Sequence, residues 1–88
     1  MRTEFRGSFV KDLKAVTDRH LLKRLRERIA EVDQANSPAE IQNLKKLKGR
    51  GDYYRMRVGD YRIGIAIEGD TVIFVRFLNR KEVYKYFP

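Results

Sequence analysis

The residues best placed to do chemistry are arginines gathered on one short stretch, Tyr53–Ile65, which reads YYRMRVGDYRIGI. Polar and apolar residues alternate, the chain turns at Gly59-Asp60, and the alternation resumes, the pattern of a β-hairpin with a two-residue turn. In such a hairpin Val58 faces Tyr61, Arg57 faces Arg62, Met56 faces Ile63, Arg55 faces Gly64 and Tyr54 faces Ile65. One face then carries Tyr54, Met56, Val58, Tyr61, Ile63, Ile65 and Ile67. The other carries Arg55, Arg57, Arg62, Gly64 and Ala66, with Tyr53 at its edge. Like charges directly opposite one another on a sheet cost a few tenths of a kcal/mol up to about 1. Glu or Lys mixed with Thr would keep an exposed face soluble without that repulsion. A guanidinium offers a planar fork of donors that matches phosphate oxygens. Gly64 and Ala66 would leave a small-residue floor between cationic walls, a groove suited to a phosphate backbone.

The next turn is read from burial. If Glu68-Gly69-Asp70 is a three-residue loop, Ile67 faces Thr71, and Ile73, Val75 and Phe77 join the apolar face. Arg76 then lies opposite Arg62. A two-residue Gly69-Asp70 turn would send Arg76 inward and those three apolar residues outward. A one-residue slip moves every side chain to the other face, so burial selects the three-residue loop. Arg80 has the parity of Arg76 just past the strand end. The expected outer face thus carries Arg55, Arg57, Arg62, Arg76 and, nearby, Arg80.

These strands need something to cover. Met1–Arg6 is strand-compatible and Gly7-Ser8 breaks it, with Ser8 as a helix cap. Phe9, Leu13 and Val16 follow at helical spacing, which predicts a helix over 9–16. Thr17 or Asp18 caps a longer helix with an apolar stripe of Leu22, Leu25, Ile29 and Val32, flanked by Leu21. Its opposite face carries Arg19, Lys23, Arg26, Glu27 and Arg28. The short break between the two predicts an antiparallel αα-hairpin. Ser37-Pro38-Ala39-Glu40 reads as a small capped turn with Pro at the first helical position. Leu44–Gly51 reads as a basic loop. Strands are expected at 53–58, 61–68 and 71–78, followed by a short tail packed by Tyr86 and Phe87. The fold class is α+β: an N-terminal strand, an αα-hairpin, then a three-stranded antiparallel meander packed on the helices, as one domain over residues 1–88.

Composition agrees with a polyanionic partner. The chain has 88 residues, 42% of them hydrophobic, enough for one core. Twenty Lys and Arg against 12 acidic residues give a net charge of +8, and that excess on so small a domain favours nucleic acid, an acidic protein or an anionic surface. There is no cysteine, so disulfides and thiolate metal sites are excluded. The N-terminus lacks an apolar signal core and no apolar run reaches the length of a membrane span, so a cytoplasmic protein with no membrane partner is expected. His20 stands alone, far in sequence from the arginines, and reads as a surface or packing residue. Asp52, Asp60 and Asp70 each sit beside glycine, where turn chemistry explains them. No metal site or cofactor is expected. Lys45, Lys46, Lys48 and Arg50 form a second basic cluster, read either as contacts to nucleic-acid phosphates or as a solvated loop.

Tyr54–Ile63, with the preceding Leu47-Lys48-Gly49 and the later Asn79-Arg80-Lys81-Glu82-Val83-Tyr84, resembles the RelE/ParE toxin superfamily. Size, element order and basicity fit along the whole chain. The ending Arg80–Tyr84 is more similar to the RelE branch of mRNA interferases. The resemblance implies a RelE-like fold and an active site of Arg55, Arg57, Arg62, Arg80 and Tyr84. It implies cleavage of mRNA in the ribosomal A site, inhibition of translation, ribosomal RNA as the nucleic acid that Lys45, Lys46, Lys48 and Arg50 would contact, and an acidic antitoxin that wraps the toxin. One departure stands out. RelE-like sites often have Lys where this chain has Arg55 and Arg57, and arginine effectively cannot give up its proton, which leaves the general base open. Two alternatives remain: a ParE-type poison that inhibits gyrase without cutting RNA, and a basic module that binds RNA without catalysis.

Overall fold

Neither the helices nor the alternating segments can bury their apolar sides alone, and the chain satisfies both by laying the helices against one sheet. A computed structural model describes residues 1–49 and 51–88. The order is β1 (Arg2–Phe5), α1 (Gly7–Lys14), α2 (Arg19–Gln34), a 3-10 turn (Pro38–Glu40), β2 (Leu44–Lys46), β3 (Tyr53–Val58), β4 (Tyr61–Glu68), β5 (Thr71–Asn79) and α3 (Arg80–Tyr86). The sheet order is β1-β5-β4-β3-β2. β1 runs parallel to β5 and every other neighbouring pair is antiparallel. The helices therefore carry the chain from one sheet edge to the other, and the meander brings it back beside β1. The main packing of α1 is on β5, and that of α2 on β3 and β1.

The core lies between helices and sheet. Phe9, Leu25 and Val32 meet Met56, Val58, Ile63, Ile65, Ile67, Val72, Phe74 and Phe77. Asp18 caps α2 as expected, its side chain accepting from the Leu21 N–H at 3.1 Å. Ser8 does not cap α1. The helix begins two residues earlier than expected, at Gly7 with Arg6 at the cap position, and the Ser8 hydroxyl donates instead to the Val75 carbonyl at 2.6 Å, pinning α1 to β5.

The expected basic loop also changes character. Leu44–Lys46 forms β2, so the meander has four strands, with Leu44 opposite Met56, Lys45 opposite Arg55 and Lys46 opposite Tyr54. Without β2 the outer backbone groups of β3 would have no partner in the sheet. Lysines suit the resulting edge because their charge discourages further strand pairing.

The first hairpin has the register read from sequence, from Val58 opposite Tyr61 to Tyr54 opposite Ile65, and continues to Tyr53 opposite Ala66. The second does not. Glu68 pairs with Thr71, so Gly69-Asp70 is a two-residue turn, and the ladder runs to Ile65 opposite Phe74 before the register shifts. Beyond the shift Gly64 faces Arg76 and Ile63 faces Phe77, which leaves Val75 as the extra residue of a β-bulge. The bulge meets the burial requirement that the three-residue loop was expected to meet. Val72, Phe74 and Phe77 go to the core, whereas Ile73 faces Ala66 on the other side.

That other side is not bare. Asn79 caps α3, its side chain accepting from the Lys81 N–H at 3.0 Å. Leu78, Val83 and Phe87 form a second small cluster, with Leu47, Tyr53 and Val75 packed against it. Phe87 sits directly on Gly64: a Cβ there would lie 2.6–2.8 Å from its ring atoms. Tyr53 meets the same ring edge-on, with centroids 5.6 Å apart. The small residue in the expected groove floor is therefore the seat of an aromatic ring, not open space. Among the described residues no helix is long and apolar enough to cross a membrane.

Candidate active site

Three adjacent strands bring cations, and one helix a tyrosine, to a single hollow of about 360 Å³. β2 supplies Lys45, β3 supplies Arg55 and Arg57, β4 supplies Arg62 and α3 supplies Tyr84; Asn43 and Leu44 complete the wall. Among the described residues no carboxylate lines it. Arg57 and Arg62 are direct cross-strand partners, and so are Lys45 and Arg55. The like-charge pairing seen in the sequence is thus present twice, side by side.

The cations are held in different ways. Nη1 of Arg62 donates to the carbonyls of Gly59 and Tyr61, each at 2.9 Å, so the hairpin turn orients this guanidinium without any ligand. The Arg55 guanidinium lies 4.4 Å from the centroid of the Tyr84 ring, a cation–π contact. Tyr84 itself is 71% exposed, so most of its ring remains open to a partner. Arg57 is exposed. Asn43 has φ of 61°, a left-handed conformation that asparagine tolerates, as the chain enters β2.

Arg80 does not line the hollow. Its backbone N–H donates to the Asp60 carbonyl at 2.8 Å, tying the start of α3 to the tip of the first hairpin. Its side chain is exposed, and it lies one helical turn before Tyr84, on the same side of α3.

Arg76 departs from expectation. It faces Gly64 rather than Arg62, and it reaches to α1 instead of joining the other arginines. Its Nε and Nη2 donate to the two carboxylate oxygens of Asp12 at 2.8 and 3.1 Å, and the Phe77 N–H donates to Asp12 as well, at 2.9 Å. The hydrogen bonds it donates to Asp12 hold the Arg76 guanidinium above its ordinary pKa range, although partial burial acts the other way. This is a packing pair, and the bulge produces it: an unbroken ladder would have put Arg76 opposite Ile63, in the core.

The second basic cluster also divides. Lys45 lines the hollow. Lys46 reaches Asp52 at 3.8 Å and lies 5.9 Å from the Tyr54 ring centroid. Lys48 is exposed. Arg50 lies outside the described residues. His20, distant in sequence, lines a hollow at the hairpin tip together with Arg24 and Arg57, on the other side of Arg57 from the first hollow. Asn43 and His20 are the neighbours of the arginines that sequence reasoning missed. Only the asparagine carried a signal, as a residue suited to positive φ. Among the described residues no group of three His, Cys, Asp or Glu could hold a metal ion.

A five-stranded α+β domain with an acid-free cationic hollow on its open face fits a small toxin, and the comparisons place it there. The sequence model of the ParE toxin of type II toxin–antitoxin systems, parDE, matches residues 3–84, and the chain belongs to this family within the RelE/ParE superfamily. It stands on the RelE-like side. Toxin RelE3 of Methanocaldococcus jannaschii is 49% identical over 89 residues, spanning the whole of both chains. The RelB–RelE antitoxin–toxin complex from Methanococcus jannaschii contains a chain with a TM-score of 0.82 and 49% identity, the match covering 97% of this chain and 99% of that one. An archaeal RelE–RelB complex from Pyrococcus horikoshii gives 0.71 at 25% identity, over 90% and 93% of the two chains. The RelE-like fold expected from sequence is the fold observed.

Proposed function

We propose that this chain is the toxin of a type II toxin–antitoxin pair and acts as an endoribonuclease that cuts mRNA on the ribosome. The observation that carries the reading is the convergence of Arg55, Arg57, Arg62 and Tyr84 on one hollow without a carboxylate. RNA supplies its own nucleophile. The 2′-oxygen attacks the adjacent phosphorus, the bond to the 5′-oxygen breaks, and a 2′,3′-cyclic phosphate and a 5′-hydroxyl result. One proton leaves the 2′-hydroxyl and one reaches the departing oxygen. Charge accumulates on the phosphorane between these events, and donors already in place are worth several kcal/mol there. Arg57 and Arg62 clamp the scissile phosphate. Arg55 and Arg80 steady the flanking backbone, and Tyr84 stacks on a base. Arginine effectively cannot accept the 2′-hydroxyl proton, so these arginines act electrostatically. Among the residues of the hollow, Lys45 and Tyr84 have side chains able to move a proton.

The partners follow from charge and kinship. The net charge of +8 suits an acidic antitoxin, and the archaeal relatives were solved as complexes with RelB. Lys45, Lys46, Lys48 and Arg50 are the basic cluster available for RNA phosphates. The ribosome places the activity in the cytoplasm. The reading is tested by inducing the chain in cells and mapping RNA 5′ ends. Cuts inside translated codons are expected. A second reading, a gyrase-inhibiting poison, draws on the match to the ParE family. It predicts intact mRNA with arrested replication, and that outcome would overturn the first.

A further inference from the structure

A second hollow, of about 340 Å³, opens beyond the Arg55–Tyr84 contact. Lys45, Arg55 and Tyr84 border both hollows, so the two form one trough divided by the cation–π pair. The second differs from the first in its floor. Leu47 and Phe87 line it with carbon, and Phe87 is held in place by its seat on Gly64. Its rim carries Lys45, Lys48 and Arg55, no Asp or Glu side chain among the described residues lines it, and Pro88 borders it at one end. Lys46 also borders it but is drawn toward Asp52. Single-stranded nucleic acid is held by this combination: a base lies on an apolar or aromatic surface while cations follow the backbone. The facing pair Lys45 and Arg55 repeats the repulsion of Arg57 and Arg62, so like charge is concentrated along the whole trough rather than at one point.

We infer that the second hollow takes the nucleobase of the nucleotide next to the scissile phosphate, with Lys45 and Lys48 on that nucleotide's own phosphate. The inference rests on the nuclease reading of the first hollow. It assigns Lys45 and Lys48 to the substrate strand instead of to ribosomal RNA.

The test uses the full chain and a 2′-O-methyl RNA hexamer, which lacks the nucleophile and cannot be cut. Binding is followed by fluorescence anisotropy at several salt concentrations. An abasic residue walked along the hexamer should weaken binding about tenfold at one position and little elsewhere, in line with the stacking worth of a single base. Lys48→Gln should flatten the slope of log Kd against log salt by about 0.7, the effect of one phosphate contact on a single strand. Lys48→Arg should restore the slope. Lys48 is exposed, so thermal melting of both variants should match that of the parent. The inference is overturned if the parent does not bind the hexamer at low salt, if no position is sensitive to base removal, or if Lys48→Gln keeps the parental slope. It is equally overturned if Lys48→Gln weakens ribosome association while hexamer binding is unchanged, which would give the lysine to ribosomal RNA. Because the probe is uncleavable, intact mRNA in induced cells would sink the nuclease reading without altering these binding outcomes.

Discussion

Gly59-Asp60 and Gly69-Asp70 are the same dipeptide at the tips of successive hairpins, with glycine φ of 58° and 60°. The ladders they start behave differently. The first runs unbroken for the length of β3, so alternation in sequence is alternation in space. The second shifts after Ile65 and Phe74. Left unbroken, it would turn Phe77 outward and place Arg76 opposite Ile63. An unpaired guanidinium in the core costs several kcal/mol. The bulge at Val75 removes that cost and delivers Arg76 to Asp12. A turn dipeptide thus sets the pairing next to it, while the pairing several residues on answers to burial. The same residue type ends in two settings: Arg57 and Arg62 face each other at an open surface, and Arg76 is half-buried in a two-pronged ion pair.

The largest effects should separate those two settings by activity. Arg57→Ala or Arg62→Ala is expected to slow cleavage on programmed ribosomes about a hundredfold to a thousandfold, the range for losing one preorganised donor. Arg76→Ala should leave cleavage within a few-fold of the parent. Equal losses for all three would break the distinction.

Next comes stability, where the order reverses. Asp12→Ala leaves both the Arg76 guanidinium and the Phe77 N–H without their acceptor, and should lower the unfolding free energy in urea titrations by about 2–3 kcal/mol. Arg57→Ala should change it by about 0.5 kcal/mol or less.

Gly64→Ala examines the cover over the outer face. Its Cβ would collide with Phe87, and about 1–3 kcal/mol of destabilisation is expected from such overpacking. Combined with Phe87→Leu, part of that loss should return in a double-mutant cycle; strict additivity would mean the ring does not depend on the glycine.

The smallest effect compares the turns themselves. Gly59→Ala and Gly69→Ala should each cost about 1 kcal/mol, because both glycines lie at positive φ. Gly59 should be the more sensitive by a few tenths, since a Cβ there meets Nη1 of Arg24 at 2.9 Å whereas Gly69 has open space around it. Thermal melting of the two variants side by side measures the difference.

Much of this was legible beforehand. The Asp18 cap and the pairing of Arg57 with Arg62 each follow from residues close together in the chain. The outer-face cover was not legible, because Phe87 and Gly64 are distant in sequence and nothing local marks one as the seat of the other. Nor was β2, whose lysines read as loop until β3 is seen to need a neighbour. His20 reaches the Arg57 surface only because α2 starts beside the hairpin tip.

By itself the sequence determined the class of the fold, the first hairpin and the concentration of like charge on one face, because each depends on periods and turns only a few residues long. The tertiary structure decided which arginines share the hollow, that Lys45 joins them, and that Arg76 is committed to Asp12. Those outcomes hang on contacts such as Asp12 with Arg76, sixty-four residues apart. A packed interior with no room for an unpaired charge selects them, and no short stretch of chain can express that constraint.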